Sequence, residues 1–113
     1  MRKLSGKLFF PEDVSGIKNS TVHVSVEDIS RQDASSETVC KKVYSNVDLG
    51  LESSLSFSLD VPVEDENAHL IVKVHVDSDN DGQISAGDFI TTKMYSVLTR
   101  GFSDSVEVGL DKI

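Results

Sequence analysis

With 113 residues, 38% of them apolar and none of them Trp, the chain has room for one domain and not two, and its core must come from aliphatic side chains and five Phe. The net charge of −8 is uneven: residues 57–113 carry four Lys/Arg against eleven Asp/Glu, whereas residues 1–56 carry seven against eight. Such a surface repels phosphate backbones and anionic headgroups, so nucleic acid and membrane surfaces are not expected partners and cations are.

Residues 3–10 alternate loosely and close on Pro11, which predicts a first strand ended by a turn. This beginning is basic but has no apolar run of signal-peptide length, Lys7 and Pro11 interrupt it, and no later stretch is long and apolar enough to span a bilayer. Residues 12–20, with Gly16 and Asn19, read as a loop. From Thr21 to Ile29 the alternation is clean, with Val22, Val24 and Val26 on one face and His23, Ser25 and Glu27 on the other, the pattern of a half-buried antiparallel strand. His23 has no partner at a useful spacing and is expected to be solvated.

A polar turn over Ser30–Ser36 leads to a third predicted strand over Glu37–Ser45. Cys40 lies within it; as the one cysteine it excludes an internal disulfide, and with no His or acid nearby in sequence it reads as a small half-buried strand residue. Val47, Leu49 and Leu51 pin the following connection to the core. Leu55, Phe57, Leu59 and Val61 alternate with Ser54, Ser56, Ser58 and Asp60, and Pro62 stops that strand. Glu64–Asn67 is an acidic turn. Leu70, Val72, Val74 and Val76 point inward on a strand that presents Lys73 and His75 outward and runs directly into Asp77.

Residues 77–88 read Asp-Ser-Asp-Asn-Asp-Gly-Gln-Ile-Ser-Ala-Gly-Asp. A twelve-residue calcium loop supplies oxygens from positions 1, 3, 5, 7, 9 and 12, with a Gly at position 6 for the sharp turn. Here those positions hold Asp77, Asp79, Asp81, the backbone carbonyl of Gln83, Ser85 through a water, and Asp88, with Gly82 at the turn. Ile84 takes the place of the apolar anchor that ties such a loop to its domain. Asp88 is one methylene shorter than the bidentate Glu of a sensor loop, so the loop closes more tightly or binds through one oxygen. His75 is either solvated or in the loop's outer shell. The other reading is a tight polar hairpin, since Asn and Asp before Gly favour turns. Three carboxylates at alternate positions repel one another without a cation between them, which favours metal. No Cys/His set has the spacing that zinc uses.

After the acidic loop, Phe89–Leu98 has strand composition, Thr99-Arg100-Gly101 turns the chain, and Val106, Val108 and Leu110 alternate in a last strand over Ser105–Leu110. No stretch has helical period. The expectation is an all-β fold, an antiparallel two-sheet β-sandwich of about seven strands over residues 1–113. The calcium loop then sits between two strands and lacks the helix pair of an EF-hand sensor.

Three strings add a resemblance. Val26-Glu27-Asp28-Ile29-Ser30-Arg31 with Asp33-Ala34, then Tyr95-Ser96-Val97-Leu98-Thr99-Arg100-Gly101, then Val106-Glu107-Val108 are similar to the YbaY-like family of small bacterial β-sandwich lipoproteins, which includes the YscW-type pilotins of type III secretion. The similarity runs from about Ser5 to Leu110, and Val-Leu-Thr-Arg-Gly is its most specific part. The resemblance implies a non-enzymatic, envelope-associated sandwich in the periplasm or at the outer membrane. For the pilotin branch it implies a chaperone that helps a secretin reach the outer membrane. This chain departs in having no lipobox cysteine and in carrying residues 77–88 where many relatives have a plainer turn.

Two functions are therefore expected, in this order. The first is a calcium-binding β-sandwich module whose ion orders the loop; the second is a pilotin-like protein-interaction module in which the loop is incidental. No nucleophile with a spaced His and acid, and no phosphate-cradling glycine loop, points to an enzyme.

Overall fold

The computed structural model describes residues 1–11, 17–30, 36–49, 54–80, 82–84 and 86–113. Among them run nine strands and no helix: β1 (Arg2–Phe9), β2 (Ser20–Asp28), β3 (Glu37–Val47), β4 (Ser54–Val61), β5 (Leu70–Asp77), β6 (Phe89–Ile90), β7 (Tyr95–Ser96), β8 (Ser105–Gly109) and β9 (Asp111–Lys112). They form a three-stranded sheet in the order β4-β1-β8 and a six-stranded sheet in the order β3-β2-β5-β6-β9, with β7 also paired to β5.

Alternation builds the core as expected. Val22, Val24 and Val26 of β2 and Val72, Val74 and Val76 of β5 are buried against Leu4 and Leu8 of β1, Phe57, Leu59 and Val61 of β4 and Val108 of β8, in one cluster filled from both sheets. Gly6 lies under the Phe57 ring: a Cβ there would come within 2.7 Å of a ring carbon and of the Val106 carbonyl oxygen, so only glycine lets Phe57 cross β1. Leu49 is buried, as the connection after β3 requires; Leu51 lies outside the described residues.

Three features differ from the sequence reading. Residues 89–98 do not form one strand. At Thr91 the backbone N–H still donates to Val74 O at 3.1 Å, but the Val74 N–H donates to the Thr91 hydroxyl at 3.2 Å, so a side chain replaces the backbone in the ladder. The segment resumes as β7 only at Tyr95, and with β9 this raises the strand number above seven. Second, β8 pairs with β1 in parallel, Ser5 with Ser105 through Phe9 with Gly109, while all other pairings are antiparallel. Third, Glu27 is buried and not on a solvated face; the Ser36 hydroxyl donates to its Oε1 at 3.4 Å.

The string Val97–Gly101 is a clamped turn. Leu98 has φ 68°, and Thr99 N donates to Val97 O at 2.7 Å, a three-residue turn with its central residue in a costly conformation. Long-range bonds hold it: Arg2 Nη1 to Leu98 O at 2.7 Å, the Thr99 hydroxyl to Ala68 O at 2.6 Å, and Arg100 N to Glu66 O at 3.2 Å. Arg2 also pairs with the Glu66 carboxylate.

Candidate functional site

The twelve-residue stretch connects β5 to β6, so the two strands that the sequence predicts on its flanks are present, and pair antiparallel through His75 with Ile90 and Val76 with Phe89. Asp77 ends β5 with 1% exposure, and its Oδ2 accepts the Gly82 N–H at 2.8 Å across the loop. Asn80 (φ 57°) and Gly82 (φ 78°) both take left-handed backbone, which Gly adopts freely and Asn tolerates. The Thr21 hydroxyl on β2 donates to Asn80 Oδ1 at 2.5 Å, fixing the loop to the strand beside it.

Asp88 closes the loop with no exposed surface. Its Oδ1 accepts the Ser78 N–H at 3.1 Å, and its Oδ2 lies 2.8 Å from His75 Nε2. Ser78 also donates its hydroxyl to Gly87 O at 2.6 Å. From the far end of the chain, Gly87 N donates to Ile113 O at 3.1 Å and Ile113 N to Asp88 O at 2.9 Å. One ligand atom each of His75, Asp77 and Asp88 fall within 4.8 Å of one another. Two carboxylates buried this close need donors or a cation to offset desolvation.

The structure thus brings Asp77 and Asp88 together. Asp79 and Gln83 lie exposed on the loop, and Asp81 and Ser85 lie outside the described residues. The oxygen donors of Asp77, Asp79, Gln83 and Asp88 suit a hard divalent cation, while His75 adds a nitrogen that calcium seldom uses. Ile84 corrects the sequence reading: it is 64% exposed and anchors nothing. The loop is flanked here by strands and not by the helix pair of an EF-hand, and Ile84 lies at the surface. Phe89 does the anchoring instead, fully buried and edge-on to Phe10 with ring centroids 5.1 Å apart.

His23 is the second correction. Register places it opposite His75 on β5, and the two rings stack 5.4 Å apart at 9°. Burial pushes its imidazole below the ordinary value of 6.5, the charges of Lys41 and His75 add to this, and Asp77 opposes it. No spacing in the sequence signals the pair, because β2 and β5 are far apart along the chain. Cys40 is half-buried as expected, its Sγ 3.3 Å from Asp60 O.

Among solved structures, the fold is similar to that of an alternative pilotin from the type II secretion system of Vibrio cholerae, with a TM-score of 0.74 over 99% of this chain and 96% of that one, at 20% identity. A comparison with curated proteins finds no match. The family model for YscW, the type III secretion system lipoprotein chaperone, matches residues 1–110, a span that takes in both sheets, the clamped turn and the acidic loop. With so nearly complete a match, the chain belongs to the YscW family of type III secretion system lipoprotein chaperones.

Proposed function

We propose that this protein is a non-enzymatic, pilotin-like chaperone of the bacterial envelope whose client is a secretin-type subunit of a secretion system. The observation that carries this reading is the family match through residues 1–110. The fold shared with a type II secretion pilotin agrees with it. Deleting the gene and fractionating the envelope tests it: the secretin multimer is expected to be lost from the outer membrane and restored by the gene in trans. Normal secretin assembly in the deletion strain overturns it.

A second role concerns the loop. We infer that Asp77, Asp79, Asp81, the Gln83 carbonyl and Asp88 bind a calcium ion that stabilises the connection between β5 and β6. Support comes from the buried Asp77–Asp88 pair and from the Gly82 N–H that turns the loop over Asp77. A ligand that binds only the folded state at a hundred times its Kd adds about 2.7 kcal/mol. The melting midpoint is expected to rise in calcium relative to chelator in the parent, and not in Asp77→Ala or Asp81→Ala. An unchanged midpoint in the parent refutes calcium binding and leaves the chaperone reading intact.

A further inference from the structure

We propose that the outer edge of β3 takes up an extended, acidic segment of a partner protein as an additional strand. The proposal rests on the chaperone reading and names the kind of segment such a chaperone would hold.

An exposed sheet edge is a template for another strand unless something covers it. Each edge of the three-stranded sheet is bonded by side chains from the other sheet at one or two residues, Ser58 and Asp60 on β4 and Gly109 on β8. On β4, the Ser58 N–H donates to the Tyr44 hydroxyl at 3.3 Å and Ser58 O accepts from that hydroxyl at 3.2 Å. Ser58 O also accepts from Lys42 Nζ, and Asp60 O from Cys40 Sγ. On β8, the Gly109 N–H donates to the Tyr95 hydroxyl at 3.0 Å, which donates to Gly109 O at 3.1 Å. The far end of the six-stranded sheet is broken into β6, β7 and β9, of two residues each. β3 is different. It runs for 11 residues, most of them exposed, and among the described residues its one strand neighbour is β2.

Charge selects the occupant. In a chain of net charge −8, Lys41 and Lys42 sit in the middle of β3, and Lys3 and Lys7 join them around the groove where β3 meets β4. Asp60 and Glu107 also line that stretch, and the first residues of β3, from Glu37, run past Asp28, Glu64 and Asp65, so lysines outnumber acids only around the middle of β3, where the acidic part of the segment would lie. A second copy pairing antiparallel about the middle of β3 would set Lys42 against Lys42, and like charges directly opposite are destabilising. A strand with Asp or Glu opposite these lysines is attracted by the same charges. Val43, 46% exposed, offers an apolar contact on the opposite face from Lys42. Strand addition satisfies the backbone of a client segment that has not yet folded, with side-chain alternation supplying the selectivity.

The test is a titration of the isotopically labelled full chain with a short extended peptide whose centre is two adjacent Glu flanked by Val, beside one with two adjacent Lys in their place, because Lys41 and Lys42 face opposite sides of β3. Amide shifts and exchange protection are expected along residues 37–47 with the Glu peptide alone. The Lys41→Glu variant, whose side chain makes no hydrogen bond among the described residues, and Lys41→Glu/Lys42→Glu are expected to bind it about tenfold or more weakly, with melting of the single variant unchanged. Equal binding of both peptides, perturbation away from β3, undiminished binding by Lys41→Glu, or a dimer formed through β3 in sedimentation overturns the proposal. Secretin assembly separates the two readings. Normal assembly with the double variant sinks the edge proposal alone, whereas normal assembly without the gene sinks the chaperone reading.

Discussion

Thr99 is buried to 1% exposure and gives its hydroxyl proton to the carbonyl of Ala68 across the clamped turn. Thr99→Val keeps the shape and removes the donor, leaving that carbonyl unsatisfied, so it is expected to cost about 1–3 kcal/mol in denaturant unfolding. Stability against pH is set in part by His23, whose folded imidazole is held below 6.5 by burial, then Lys41, then His75. Well above pH 6.5 neither the folded nor the unfolded chain holds this proton and the group contributes nothing. As pH falls below 6.5 the unfolded chain takes up a proton that the folded chain resists, and stability is lost until the folded value is passed. The melting midpoint of the parent is therefore expected to fall more steeply below pH 6.5 than that of His23→Gln. Asp77 and Asp88 stand out in the sequence because loop positions are local. His75, two residues before the loop, is also legible as an outer-shell neighbour and lies 2.8 Å from Asp88, but its stacked partner His23 is not, because cross-strand register is set by the whole sheet.

At the scale of elements, both tyrosines of the chain do the same thing at opposite edges of one sheet. Each hydroxyl accepts an N–H from an edge strand and donates to the carbonyl of the same residue, Tyr44 at Ser58 and Tyr95 at Gly109. Tyr44→Phe and Tyr95→Phe are each expected to lose about 0.5–1.5 kcal/mol, with the loss at Tyr95 smaller because its contact is exposed and water replaces part of it. The double variant should lose the sum within about 0.5 kcal/mol, since the two sites share no partner. Alternation made the strands around Val22–Val26, Leu55–Val61 and Leu70–Val76 plain, with ends within one or two residues of those observed. Composition alone misjudged Phe89–Leu98, where propensity is high but Thr91 interrupts the ladder.

At the scale of the molecule, the net charge of −8 makes the folded chain repel itself, most strongly in the acidic second half. Sodium chloride is expected to raise the melting midpoint by a few degrees through screening, in parent and Asp77→Ala alike, which separates it from the effect of a bound divalent ion. Of the two functional readings, the family match supports the chaperone that the sequence placed second. What the sequence determined by itself was whatever is written locally. Period-two burial defined the strands, Asp and Gly spacing the acidic loop, and short strings such as Val97–Gly101 the family. Tertiary structure alone decided the strand order, the parallel pairing of β1 with β8, the burial of Asp88 against His75 and the exposure of Ile84. The reason is physical: alternation tells a strand which face to bury but not which neighbour to bury it beside. That choice depends on contacts between residues tens of positions apart, which no local pattern encodes.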